Sequence, residues 1–405
     1  MSIGSRLYCL TERSHAVLIR YILPLGWLLL LTGMFWLWDR NLYIRSFYLF
    51  LALPGLLVLM LRPERIWALV RQPVFVAFAL FATYMLITLA WSDTSKSAGS
   101  LIARPFYIAL LLLGVGLLAL RDVQKLERIL HIAGWVAVAN AIGSFVYFLY
   151  GWWFSNGTLR LQGYGLFDNP LIGSHVYGAF AAYWLARWFL AERDQRWIPL
   201  ICLTILGVFL VASGSRTPFL GLCAALLWLA LSVHSRRALS GLLAIALFVL
   251  MQYLYSSSLH IWAGVSYRPA VWMNVLQQIS TAPWFGHGYD ASMTIVVPGI
   301  EPLYSNAHNM ELGVLYAGGV FGLALWMGIY ICALSFAWKY RREQSVLIAS
   351  TWLIFGAAAG LTEGSSFLSR PKEHWFLVWI PIALLFAYSA IQRHKEQAGA
   401  LPEKT

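Results

Sequence analysis

Residues 105–150 read PFYIALLLLGVGLLAL, then RDVQKLER, then ILHIAGWVAVANAIGSFVYFLY. Two apolar runs, 105–120 and 129–150, flank an eight-residue connector that carries five charges. A backbone surrounded by lipid must satisfy its own hydrogen bonds, and runs this long and unbroken do not suit barrel strands, so each is read as a helix. The same alternation of apolar run and charged or Gly/Pro-rich connector extends in both directions. It predicts twelve helices, near 17–37, 43–61, 73–91, 105–120, 129–150, 171–190, 197–213, 217–233, 239–255, 308–338, 345–361 and 374–391. At 405 residues and 60% hydrophobic, the chain holds enough apolar sequence for about twelve spans of ~20 residues. Only 11% of it is charged, against about 25% in soluble domains, which excludes a water-soluble fold. The expectation is an all-α integral membrane protein, one polytopic domain over 1–405.

The net charge of +12 does not point to nucleic acid, because Lys and Arg are scattered between apolar runs and form no single patch. It carries a topology signal instead. With the N-terminus inside, twenty of the 29 basic residues fall in cytoplasmic segments, and both termini are predicted to face the cytoplasm. Nine lie on the opposite side: Arg40, Arg45, Lys96, Arg104, Arg160, Arg216, Arg268, Arg370 and Lys372. The first apolar run follows Arg6, Arg13 and Arg20, continues past Trp36 and has no small-residue cleavage site, so it is expected to stay as a span. Cys9, Cys202, Cys223 and Cys332 show no paired spacing and imply neither a disulfide framework nor a metal knuckle.

Outside the spans, residues 256–307 form the longest connector, placed on the outer side. Its aromatic residues (Trp262, Tyr267, Trp272, Trp284, Phe285, Tyr289) and few charges argue for ordered structure. Trp272, Val275, Leu276 and Ile279 recur at helical spacing after Arg268, which predicts a short amphipathic helix lying at the membrane-water boundary. PWFGHGYD (283–290) reads as a tight turn.

Three outer residues stand out by context. Arg216 lies in the short turn ASGSRTP with no acidic residue within twenty positions; Arg268 opens the amphipathic segment before Pro269; His308 begins the tenth span. A guanidinium matches phosphate oxygens bidentately, and an imidazole exchanges a proton near neutrality. Together they could hold a leaving diphosphate and activate an incoming hydroxyl. The plainer reading of a lone arginine at a span end is snorkelling to membrane lipids, and of a lone histidine at a helix start, a structural hydrogen bond. Gly318 and Gly322, spaced as GxxxG about ten residues into the tenth span and roughly 15 Å from His308 by helical rise, read as a helix-packing face. His287, His308, Asp290, Glu301 and Glu311 share a side but have no metal-ligand spacing, so no metal and no other cofactor is expected.

The run HNMELGVLYAGGVFG (308–322), with His308-Asn309, nine residues, Gly319, two residues and Gly322, resembles the signature of the O-antigen ligase family. SGSRTPFLG (213–221) resembles that family's arginine turn, and RPAVWMNVLQQISTAPWFGHGYD (268–290) its periplasmic-loop pattern. The motifs cover roughly 200–325. The resemblance implies a metal-independent, inverting glycosyltransferase of the bacterial inner membrane, working at its periplasmic face. It also implies an undecaprenyl-pyrophosphate glycan as donor and lipid A-core as acceptor, in lipopolysaccharide biosynthesis. Carried over, Arg216 and Arg268 would bind the pyrophosphate and His308 would assist the acceptor hydroxyl. Asn309, Arg104 and Arg160 are further candidates for substrate contact. O-antigen polymerases and protein O-oligosaccharyltransferases belong to the same superfamily. The short C-terminal tail and the lack of a second large outer loop favour the ligase. A transporter needs midplane ionisable groups and internal repeats, which the spans do not show.

Overall fold

The structure is a computed structural model that describes residues 15–61, 64–154, 160–233, 241, 267–296, 305–364 and 366–399. Among these, the apolar runs are helices and no strands form. The long helices are His15–Phe35, Arg40–Leu61, Pro73–Trp91, Ala98–Arg121, Val123–Phe154, Pro170–Leu190, Trp197–Ala212, Thr217–Val233, Met310–Lys339, Gln344–Gly360 and Trp379–Gly399. Among the described residues, seven helices are long and apolar enough to cross a bilayer. The predicted span 239–255 lies almost wholly outside the described residues.

Several boundaries differ from the sequence reading, among them the fifth helix, which begins at Val123 and takes in most of the charged connector. The fourth helix begins at Ala98 and runs through Pro105, because Leu101 and Pro105 are both buried and anchor the extra turns. Arg104 is therefore a helical residue and not part of a connector. At the C-terminal end a single turn, His374–Leu377, precedes the helix that starts at Trp379.

Contacts sort the connectors into two ends of the bundle. Arg40 pairs with Glu373, Lys96 and Arg104 with Asp290, and Arg268 and His308 with Glu363, all at one end. At the other, Lys125 bonds the Arg20 carbonyl, Arg393 the Arg71 carbonyl, and Lys339 faces Glu396. Between the ends lies an apolar core in which Trp27, Trp184, Trp326, Trp352, Trp375 and Trp379 are fully buried.

The segment Met310–Lys339 is not one straight span. Gly319 has φ 62° and ψ −165°, which only glycine adopts without strain. A Cβ on Gly322 would lie 3.8 Å from the Val314 carbonyl oxygen, eight residues earlier, where a straight helix would put them about 12 Å apart. The chain folds back at Gly319, so a straight-helix separation of 15 Å from His308 does not apply. A break of this kind exposes backbone groups that lipid cannot satisfy. The 283–288 turn satisfies them: His287 N and Gly288 N donate to the carbonyls of Tyr316 and Ala317, while Val320 N and Phe321 N donate to those of Pro283 and Trp284. The Tyr84 hydroxyl donates to the Gly318 carbonyl at 2.7 Å. Gly318 and Gly322 do form a packing face, against Tyr84 and Met85.

The amphipathic helix forms over Arg268–Ile279, starting at Arg268 itself. Its buried face is Val271, Val275 and Ile279, covered by Ile295, Ala307 and Tyr316. Protein therefore covers the face that was expected to lie on lipid, and Leu276 points outward.

Replacing Gly319 by Ala would place a Cβ 2.3 Å from the Trp284 carbonyl and force a residue out of its allowed backbone region, at a cost of at least about 2 kcal/mol. The expected outcome is a clear fall in the thermal midpoint of detergent-solubilised protein; a midpoint equal to wild type would contradict the docked-turn arrangement.

Candidate active site

The 283–290 turn is held from a second side by the end of helix Pro73–Trp91. Thr88 Oγ1 accepts from Tyr289 N, Trp91 donates to the Gly286 carbonyl, and the Ser92 hydroxyl donates to the Tyr289 carbonyl. Gly286 has φ 70°, and a Cβ there would lie 2.5 Å from the Ala317 carbonyl group. The turn thus carries Asp290 to a fixed place, where it accepts from Lys96, Arg104 and Thr94. Burial alone would raise the Asp290 carboxyl pKa, but the hydrogen bonds and charges of Lys96 and Arg104 outweigh it and hold the group below the usual range.

His308 sits where the chain enters the helix. It adopts φ 46°, rare for a residue with a side chain, and Asn306 Oδ1 accepts its backbone N–H at 3.0 Å. Asn309 caps the helix by accepting from Leu312 N at 2.9 Å, and its amide donates to the Leu361 carbonyl at 2.8 Å. Asn309, expected among the substrate-binding residues, uses both polar atoms inside the protein. It fixes His308 and ties this helix start to the 361–373 connector.

That connector supplies the residue that sequence reasoning missed. Glu363 Oε1 lies 2.7 Å from His308 Nδ1, and Glu363 Oε2 lies 2.7 Å from an Arg268 guanidinium nitrogen. One carboxylate therefore brings two of the three predicted residues together across 55 and 95 positions of chain. The Glu363 side chain is 11% exposed, while Arg268 and His308 keep 27% and 29%, so the carboxylate is the interior member of the group. Burial would raise its pKa. The hydrogen bond with His308 and the positive fields of His175, His308 and Arg268 overcome that and bring it down to about 2. The one signal in the sequence was an acidic residue among few, in TEGSS, at the end of the bundle where cations collect.

Arg216 lies between Ser215, which is hydrogen-bonded to Ser174, and Thr217, whose hydroxyl meets that of Thr362 next to Glu363. Arg216 is an exposed residue at this same end. Arg160 lies against the turn, with a guanidinium nitrogen 3.5 Å from the Gly214 carbonyl oxygen. Arg104 stands apart from these, on Asp290. A cavity of about 440 Å³ runs from Lys96, Arg104 and Asp290 to Ser305 and Asn306, the residue that accepts the His308 backbone N–H. This arrangement can orient an imidazole, collect guanidinium groups near it and admit a polar ligand from one side.

Residues 200–327 match the family described as O-Antigen ligase. The chain is also similar to an O-antigen ligase of Pseudomonas aeruginosa, with 47% identity over 393 residues that cover 97% of this chain and 97% of that protein.

Because the Glu363 carboxyl is depressed to about 2 in the folded protein, its contribution to stability is complete above the ordinary carboxyl value near 4.5 and fades as pH falls from there toward 2. The thermal midpoint of Glu363→Gln should lie below that of wild type near neutral pH, and the gap should narrow near pH 3. A gap of the same size at both pH values would refute the ionised bridge.

Proposed function

This chain belongs to the O-antigen ligase family, and we propose that it transfers O-antigen glycan from undecaprenyl pyrophosphate to lipid A-core at the periplasmic face of the bacterial inner membrane. The observation that carries this reading is the Glu363 carboxylate bonded at once to His308 Nδ1 and to Arg268.

A carboxylate on Nδ1 favours the tautomer with the proton on that nitrogen, which leaves the lone pair on Nε2. Nε2 then takes the proton of the acceptor hydroxyl as its oxygen attacks the anomeric carbon. The bond from that carbon to the diphosphate oxygen breaks in the same displacement, and the configuration inverts. The electron pair leaves on the lipid diphosphate, whose charge Arg216 and Arg268 neutralise through planar N–H donors. The imidazolium formed is stabilised by Glu363, so the proton transfer develops no isolated buried charge. Arg160, beside the Arg216 turn, extends the donor side. Asn309 is a positioning residue that holds the His308 backbone. Sequestration by the bundle end strengthens each of these charge interactions relative to water.

Reconstituted protein given undecaprenyl-pyrophosphate glycan, with lipid A-core, a second lipid-linked glycan and an acceptor protein side by side, should modify lipid A-core; modification of either competitor instead would reassign the chain within its superfamily. In the same assay His308→Ala should slow transfer by about 10² to 10⁴ with the protein still folded. Arg216→Ala and Arg268→Ala should each weaken donor binding by roughly tenfold. A chelator should leave the rate unchanged, and loss of transfer on its addition would count against a metal-independent displacement.

A further inference from the structure

A second set of cations, unused by the step above, lines a neighbouring cavity. This cavity, about 370 Å³, is walled by Arg40, Lys96, Arg104, Arg370 and Lys372, with Asp290 among them. Two carboxylates answer these five cations: Asp290 takes Lys96 and Arg104, and Glu373 takes Arg40. Among the described residues neither Arg370 nor Lys372 forms an ion pair. The wall thus has an excess of positive charge in a space large enough for a ligand. Lys372 registers the crowding. Its burial, with repulsion from Arg104, Arg40 and Lys96 and only Glu373 opposing, lowers its ammonium to about 8. A bound anion would reverse that balance.

The position of the cavity gives the anion a role. It shares Lys96, Arg104, Asp290 and Ser366 with the larger cavity, which reaches Asn306 and therefore the backbone of His308. The connector 361–373 orders the whole end: Thr362 touches the Arg216 turn, Glu363 holds His308 and Arg268, Ser366 lines both cavities, and Arg370 and Lys372 wall the second. The Arg216 and Arg268 side thus meets this connector at Thr362 and Glu363, and the second cation set belongs to it at Arg370 and Lys372. We propose that the Arg40–Arg104–Arg370–Lys372 cavity is an acceptor subsite that grips a phosphate monoester carried on the acceptor glycolipid, anchoring it so that a sugar hydroxyl reaches His308. The inference rests on the transferase reading above. It adds that the acceptor is recognised by its phosphate.

The test is the acceptor KM of wild type, Arg370→Gln, Lys372→Gln and the charge-keeping Arg370→Lys. Each is measured with phosphorylated lipid A-core, with the same glycolipid stripped of phosphate, and with either in the presence of inorganic phosphate or of phosphatidylglycerol vesicles. With the phosphorylated acceptor, each Gln variant should raise acceptor KM by about tenfold, with donor KM unmoved and Arg370→Lys recovering part of the loss. Stripping the phosphate should raise the wild-type KM to the same level and make the variants indistinguishable from it. A variant effect that persists on the stripped acceptor, a change in donor KM instead, or a dependence only on phosphatidylglycerol or free phosphate would each overturn the subsite. If lipid A-core is not glycosylated under any condition, the transferase reading fails. If it is glycosylated with no dependence on its phosphate, only this inference fails.

Discussion

The end of the bundle that carries the proposed site depends on one buried carboxylate. Glu363 accepts from Arg268 and His308, both at 2.7 Å, and is itself almost enclosed. An isolated ionised carboxylate could not remain there, because removal from water costs several kcal/mol. It remains because two positively polarised groups face it, and they in turn are held at a fixed separation by its two oxygens. Remove the carboxylate, and a guanidinium and an imidazole that are remote in sequence lose the contact that joins them. Neighbouring groups connect to this bridge: Arg216 by way of Thr217 and Thr362, and the larger cavity by way of Asn306 and Ser366.

The same helix that begins beside the bridge is bent further along. Gly319 turns the helix back on itself, and the backbone groups opened by that bend are filled by the 283–288 turn and by Tyr84. The same turn delivers Asp290 to Lys96 and Arg104. One docked turn therefore joins the Gly319 bend to the Lys96 and Arg104 cluster. Two non-glycine residues with left-handed backbone, Asp290 and His308, stand at either end of this assembly. Such strain, of order 1–3 kcal/mol each, persists where the surroundings over-determine it, and it collects at functional sites.

Charge follows the same logic. Nine basic residues were expected on the disfavoured side of the membrane, and the structure gathers eight of them, all but Arg45 in the first turns of its helix, into ion pairs, turns and cavity walls at one end. An arginine at a span end snorkels by default, but at this end carboxylates from distant segments meet several of the cations, while Arg370 and Lys372 face a cavity. Positive charge is concentrated here in a partly dehydrated space, where it acts on an anionic ligand more strongly than the same residues would on an open surface.

The amino-acid sequence by itself determined that this is a helical membrane protein, roughly where most of the described helices lie, and that Arg216, Arg268 and His308 share one end of the bundle. These are consequences of local composition: apolar length, charge in alternate connectors and turn residues are all short-range properties. Glu363 was not legible, since an acidic residue in a connector carries no mark of its partners, and Asn309 looked like a ligand contact when its amide is a cap and a tether. Nor could the spacing of Gly318, Gly319 and Gly322 say that the helix breaks there, because a straight packed helix and a folded one accept the same glycines. Tertiary structure alone decided which carboxylate meets which cation, because that pairing is made across intervals of 55 to 333 residues and depends on how the helices pack.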